Sequence, residues 1–232
     1  MEINQIIKLS PRSLSLFLEC PRCFWLEKVK GKSRPKKPSS SLPNGMDQLI
    51  KKYFDKYRAR GKFPPEIEGV VEGKIFVDQE RIRKWRSWQK TELKYEDKNL
   101  RALLSGALDE CFMLNGFYIP VDYKTRGFEP ENYEEYSQKY YQFQLDCYTF
   151  LLEISGYPHL NFGYLIYYVP MEIREGGVGK FKIEAVKLET HPERIKEIFE
   201  KAVKTLRGPI PKPDPNCKFC AWAQYWSQFK IS

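Results

Sequence analysis

Two aspartates and a lysine stand inside the otherwise apolar stretch GALDECFMLNGFYIPVDYKT, residues 106–125. Asn115-Gly116 at its centre predicts a two-residue type I′ hairpin, because both residues accept the positive φ that this turn requires. Leu114 then faces Phe117, and every pair further out has residue numbers summing to 231, which sets Asp109 opposite Asp122. Counting outward from the turn makes this a non-hydrogen-bonded pair, with Cα atoms about 4.5 Å apart. Two like charges at that distance repel, and an apolar surround makes the repulsion worse. A divalent cation between the carboxylates would resolve it, and hard oxygen ligands on a sheet suit Mg²⁺ or Mn²⁺ better than Zn²⁺.

Strand alternation puts Lys124 on the same face, one pleat beyond Asp122, opposite the small Ala107. The other face carries Leu108, Phe112, Leu114, Phe117, Ile119 and Val121 and is expected to be core. A bulge at Pro120 would shift the register and separate the aspartates. The alternative is an exposed sheet face bearing an ordinary Asp–Lys pair.

These residues resemble the core signature of the PD-(D/E)XK nuclease superfamily, in particular its RecB-like branch: GALDE on one strand, VDYKT on the next, and QLDCY (144–148) on the following helix. SLSLFLECPRCFWL near the start is similar to the N-terminal segment of RecB-like nucleases. The resemblance covers roughly residues 9–26, 104–148 and the C-terminal cysteines. It implies an α/β, restriction-endonuclease-like core, with a central mixed sheet flanked by helices. It also implies Asp109 and Asp122 as metal ligands, with the Tyr123 carbonyl as a third. Lys124 would position the attacking water and stabilise charge on the scissile phosphate. Its use as a general base is opposed by two carboxylates that favour its charged form. Gln144 and Tyr148 lie four residues apart on one helix face, which Tyr141 and Ser137 extend, and the resemblance makes this the substrate-binding face. Many relatives carry a histidine on the first core helix. NGMDQLIKKYF has none, and Asp47 is the nearest polar candidate, as an extra metal ligand or a helix cap. His159 and His191 fall at a turn and a helix start and are expected to be structural.

Cys20-x-x-Cys23 and Cys217-x-x-Cys220 suffice for a complete four-thiolate metal site joining the first helix to the C-terminal segment. Iron–sulfur relatives of the RecB-like branch usually place one cysteine early and three late, and Trp226 stands where the third late one would fall. The resemblance implies an iron–sulfur cluster; the two-and-two arrangement leaves Zn²⁺ open. Cys111 and Cys147 lack such spacing and are expected to be buried thiols.

The elements that must position these residues follow from periodicity and punctuation. A helix is predicted over 13–29 with a break at Pro21, then a flexible basic connector at 30–44. An amphipathic helix follows over 45–60, a short strand near 70–77, and a helix near 79–89. Beyond the hairpin come a long helix over 131–155, strands near 161–169 and 180–188, a helix over 191–206, and a Cys-containing segment at 209–232. The whole, residues 1–232, is expected to be a single nuclease-like domain. ERIRKWRSWQK (80–90) interleaves basic residues with Trp85 and Trp88, which suits either nucleic acid or the core.

The 39 basic against 30 acidic residues leave a net charge of +9, favouring a polyanionic partner. The 42% hydrophobic content excludes global disorder. MEINQIIKLSPRS lacks the apolar core of a secretory signal, so a cytoplasmic location and no membrane partner are expected. The expected activity is Mg²⁺/Mn²⁺-dependent phosphodiester hydrolysis, with DNA favoured and RNA open, in the manner of a RecB-like exonuclease. A helicase or a CRISPR or repair complex would be the partner. The alternatives are a non-cleaving nucleic-acid-binding module of such a complex and a structural metal-stapled protein.

Overall fold

Asn115 and Gly116 have φ of 52° and 87° in the computed structural model, which describes residues 6–35 and 41–227. Their turn joins β5 (Glu110–Leu114) to β6 (Phe117–Thr125). The pairs run from Leu114↔Phe117 to Glu110↔Val121, each summing to 231 as predicted. Pro120 pairs with Cys111 in unbroken register, so no bulge intervenes.

The hairpin lies within a mixed five-stranded sheet of order β2-β5-β6-β7-β8, where β2 is Lys74–Ile75, β7 is Phe162–Arg174 and β8 is Val178–Glu189. β6 and β7 run parallel, which requires a crossover, and the helix α5 (Tyr133–Ile154) supplies it. Asn132 caps α5 by accepting hydrogen bonds from the Glu134 and Glu135 amides at 2.9 and 3.1 Å. One face of the sheet buries Phe112, Ile119, Val121, Tyr123, Tyr164 and Ile166 against Ile50 and Phe54 of α3 (Ser41–Arg58). The opposite face lies under α5. A Cβ at Gly106 would come within 2.8 Å of Leu151 Cδ1 and 3.2 Å of Tyr148 Cε1, so a bare backbone is required where the chain approaches β5.

Contacts divide the chain into two units: Ser40–Tyr95 with Ser105–Glu193, which holds this sheet, and Met1–Ser39 with Glu96–Leu104 and Arg194–Ser232. In the second unit, α1 (Pro11–Glu19) and α2 (Pro21–Lys30) meet at Cys20, matching the predicted break. Ser10 caps α1, and Pro21 opens α2 at a position where no amide hydrogen is needed. α6 (Ile195–Arg207) buries Ile195, Phe199, Ala202, Val203 and Leu206, an i, i+4, i+7 stripe. Gly208 after it accepts a hydrogen bond from Trp25 Nε1 at 3.1 Å. α7 (Lys218–Ser227) ends the described chain.

The structure adds to the sequence expectations in three places. A second sheet, β1-β4-β3, is built from β1 (Ile7–Leu9), β3 (Lys94–Asp97) and β4 (Ala102–Ser105). Three or four residues are too few to show periodicity, so these strands left no readable signal. β7 and β8 extend past their predicted ends into a hairpin. Met171, Glu172, Ile173 and Arg174 alternate as a strand should, but Pro170 and the glycines at 176 and 177 make the segment read as a turn, and Met171, Ile173 and Val178 are exposed. Trp85, in α4 (Gln79–Trp85), is wholly buried and stacked on Phe76 at 5.4 Å, which makes it core, whereas Trp88 is 75% exposed. Residues 36–40 of the basic connector lie outside the described residues.

Candidate active site and cysteine cluster

Asp109 sits at the bend just before β5, one residue out from the last ladder pair, and Asp122 is within β6. The ladder ends at Glu110↔Val121, so the expected Asp109–Asp122 strand pair does not form; Asp109 nevertheless lies close enough to Asp122 for the two carboxylates to act on each other. Each carboxylate has its own ammonium: Lys124 Nζ lies 2.6 Å from Asp122 Oδ2, and Lys51 Nζ lies 2.6 Å from Asp109 Oδ1. Lys51, on α3, also reaches Asp47 Oδ2 at 2.8 Å. Asp47 thus joins the group through a lysine that sequence reasoning missed. Burial and the neighbouring Asp122 carboxylate push Asp109 above the ordinary carboxylate range, against the pull of Lys51. Burial works against a charged Lys51, yet the Asp109 and Asp47 carboxylates hold its ammonium above the usual lysine range.

Gln144 organises the α5 side. Its amide donates to Asp122 Oδ1 and to the Tyr148 hydroxyl, each at 2.8 Å, and its carbonyl oxygen accepts from Lys124 Nζ at 2.8 Å. Tyr148, one turn on, is buried. Tyr141 lays its ring 4.1 Å from Lys124 Nζ, a cation–π contact. Ser137 and the Tyr167 hydroxyl lie 2.7 Å apart further along the same helix. Gln144, Tyr148 and Tyr141 are thus all on the side of α5 that meets Lys124. The Tyr123 side chain turns to the opposite face, as strand alternation requires. Its backbone lies beyond the last β5–β6 pair.

Beneath this group lies a buried ionic network that the apolar pattern had concealed. Glu110, between Asp109 and Cys111 on the core face, pairs with the buried Arg58 of α3 and with Arg86 Nη2 at 3.2 Å. The Tyr123 hydroxyl donates to Glu110 at 2.9 Å. Arg86 also donates to the Asp109 carbonyl at 2.7 Å and pairs with Asp55 at 2.8 Å, fixing the backbone that carries the catalytic candidate. The signal available in the sequence was a glutamate on an otherwise apolar strand face, which needs a buried partner.

The donor set fits a hard divalent cation. Asp109, just before β5, and Asp122, on β6, offer carboxylate oxygens, and their mutual repulsion is the one that a cation would relieve. Residues 44–225 match the family model of the PD-(D/E)XK nuclease superfamily. The chain belongs to that superfamily. No curated protein matches it. The superfamily assignment supports a nuclease-type phosphodiester hydrolase using divalent metal.

This nuclease-superfamily chain has a second cluster. Cys20, Cys23, Cys217 and Cys220 are all buried, with their sulfurs within 4.8 Å of one another, and could hold a metal ion. Each pair sits at a helix start: Cys20 caps α2, and Cys217 immediately precedes α7. Burial pushes the Cys23 thiol up to about 12. For Cys217, burial is outweighed by hydrogen bonds from the Cys220 backbone and neighbouring cysteines, bringing it to about 7. Cys111 and Cys147 are buried elsewhere, as expected. No helix among the described residues is long and apolar enough to cross a membrane.

Proposed function

We propose that the protein is a Mg²⁺- or Mn²⁺-dependent nuclease that hydrolyses phosphodiester bonds in DNA, in the manner of RecB-like exonucleases. The observation that carries this is the grouping of Asp122 and Lys124 under Gln144 with the Asp109 carboxylate beside Asp122. Asp109, Asp122 and the Tyr123 carbonyl would hold the cation, and Asp47, linked to Asp109 through Lys51, would be a further ligand. A cation bound there would lower the pKa of water and neutralise charge on the phosphate.

Lys124 is fixed by Asp122 and Gln144, which keeps its side chain aimed rather than free to rotate. It orients the attacking water and stabilises the developing negative charge. Lys51 supplies a second positive charge on the α3 side. Gln144 holds both the acid and the lysine, so it sets their separation. Beyond Lys124, the contacts run from Tyr141 to Tyr136, with ring centroids 6.0 Å apart. Tyr136 meets Tyr140 in a tilted contact at 4.5 Å and faces Arg126 at 3.8 Å. Phe128 and Tyr140 are 69% and 55% exposed. A row of aromatic rings and cations leading from the catalytic lysine suits unpaired bases and a phosphate backbone.

One observation favours a non-cleaving nucleic-acid-binding module instead: each aspartate already has a lysine against it. Incubation with single-stranded DNA, double-stranded DNA and RNA, with Mg²⁺, Mn²⁺ or chelator, separates the two. Cleavage is expected to need the metal and to fall roughly 100-fold or more in Lys124→Ala. Binding without cleavage under every metal condition would select the module, and undiminished cleavage by Lys124→Ala would remove the mechanism.

A further inference from the structure

The four cysteine sulfurs are too close together for a multi-iron cluster. Cys20 Sγ lies 3.6 Å from Cys220 Sγ, and Cys23 Sγ lies 3.6 Å from Cys217 Sγ. All four fall within 4.8 Å of one another. A single tetrahedral ion with metal–sulfur bonds of about 2.3 Å sets its thiolates about 3.8 Å apart. An iron–sulfur cluster spreads its thiolates over separate irons, each pointing outward from its own corner, so at least some pairs must be much wider. The contacts also cross the pairs: each early cysteine touches a late one, as the corners of one tetrahedron do.

We infer that Cys20, Cys23, Cys217 and Cys220 bind one structural Zn²⁺ ion, closing the site with four thiolates and no open position. Two Cys-x-x-Cys pairs are the ligand pattern of structural zinc, and four buried thiolates fill a tetrahedral shell without a water. Both pairs stand at the N-termini of ten-residue helices, whose positive ends favour thiolates. The Cys23 amide donates to Cys20 Sγ at 3.4 Å. Four thiolates around Zn²⁺ carry two net negative charges, and Arg34 offsets part of them with Nη2 3.6 Å from Cys217 Sγ. Arg34 is held there by Glu19 and by the Phe219 ring, 4.6 Å from its guanidinium carbon. Any thiol that is still protonated releases its proton to solvent as the ion binds. The ion ties α2 to α7 across a sequence separation of 194 residues between Cys23 and Cys217. Closing so long a loop should contribute to stability.

The test uses the full chain, expressed with both zinc and iron supplied and purified anaerobically without chelator. Elemental and sulfide analysis should find one zinc per chain, with neither iron nor acid-labile sulfide. Iron in stoichiometric amount, with or without sulfide, overturns the inference. So does a metal-free chain that takes up neither Zn²⁺ nor Co²⁺. Cobalt substituted into the site should give the intense visible ligand-field bands of a tetrahedral tetrathiolate. Cys217→Ser should weaken and shift those bands, and Cys111→Ser should leave them unchanged. Should Cys217→Ser fail to fold, thiol titration of the unmutated chain decides. Four fewer reactive cysteines before chelation than after supports the site, and no difference overturns it. None of these readouts depends on nuclease activity.

Discussion

Lys51 and Lys124 do different work although each holds one aspartate. Lys124 is locked from two sides, by Asp122 and by the Gln144 carbonyl oxygen, and its position is set by the sheet. Lys51 bridges Asp47 and Asp109 from a helix, where it would compete with the proposed cation for the Asp109 oxygen. Lys51→Met is therefore expected to lower the Mg²⁺ concentration needed for half-maximal cleavage, because Asp109 loses its internal counter-ion. The maximal rate is expected to fall roughly ten-fold at the same time, because a positive charge near the phosphate is gone. A Mg²⁺ titration of cleavage rate reads both quantities. A raised Mg²⁺ requirement would show that Lys51 supports the metal site rather than competing with it.

At the scale of elements, α3, β5 and the turn after α4 are tied together by Arg58, Glu110 and Arg86. Glu110 is wholly buried, so Glu110→Ala leaves the buried Arg58 guanidinium with only the longer carboxylate pairing to Asp55 at 3.4 Å. The expected loss is about 3–5 kcal/mol, the usual result of breaking one side of a buried ion pair. Denaturant unfolding measures it, and a loss under about 1 kcal/mol would mean that water reaches Arg58. The aromatic row at the start of α5 makes a separate prediction. Phe128→Ala and Tyr140→Ala should each weaken single-stranded DNA binding by about 1–3 kcal/mol, the range for one stacked base. Fluorescence anisotropy with a labelled oligonucleotide checks this. Equal affinity in both variants would place the strand elsewhere.

For the molecule as a whole, the net charge of +9 makes binding to a polyanion salt-dependent. Affinity for DNA is expected to fall steeply between about 50 and 200 mM salt, in proportion to the phosphates neutralised. A flat response would mean that the excess charge does not face the substrate. The charge is dispersed in sequence, so composition alone could not say where it gathers. Two basic residues are spent internally: Arg58 and Arg86 serve the network around Glu110.

The Asn115-Gly116 bend determined the hairpin register without help from the rest of the chain, because a type I′ turn restricts its own dihedrals and strand alternation does the remainder. Gln144 and Tyr148 were readable for the same reason, as four residues is one helical turn. Local periodicity carried those inferences. It could not carry Lys51, which meets Asp109 only because α3 lies beside the hairpin, or Glu110, which looked out of place until Arg58 and Arg86 arrived from distant segments. Spacing within each cysteine pair marked a candidate metal site, whereas the separation between pairs existed only after α2 and α7 had come together. Short-range geometry is written in consecutive residues; charge compensation and ligand distances between remote segments are set by packing.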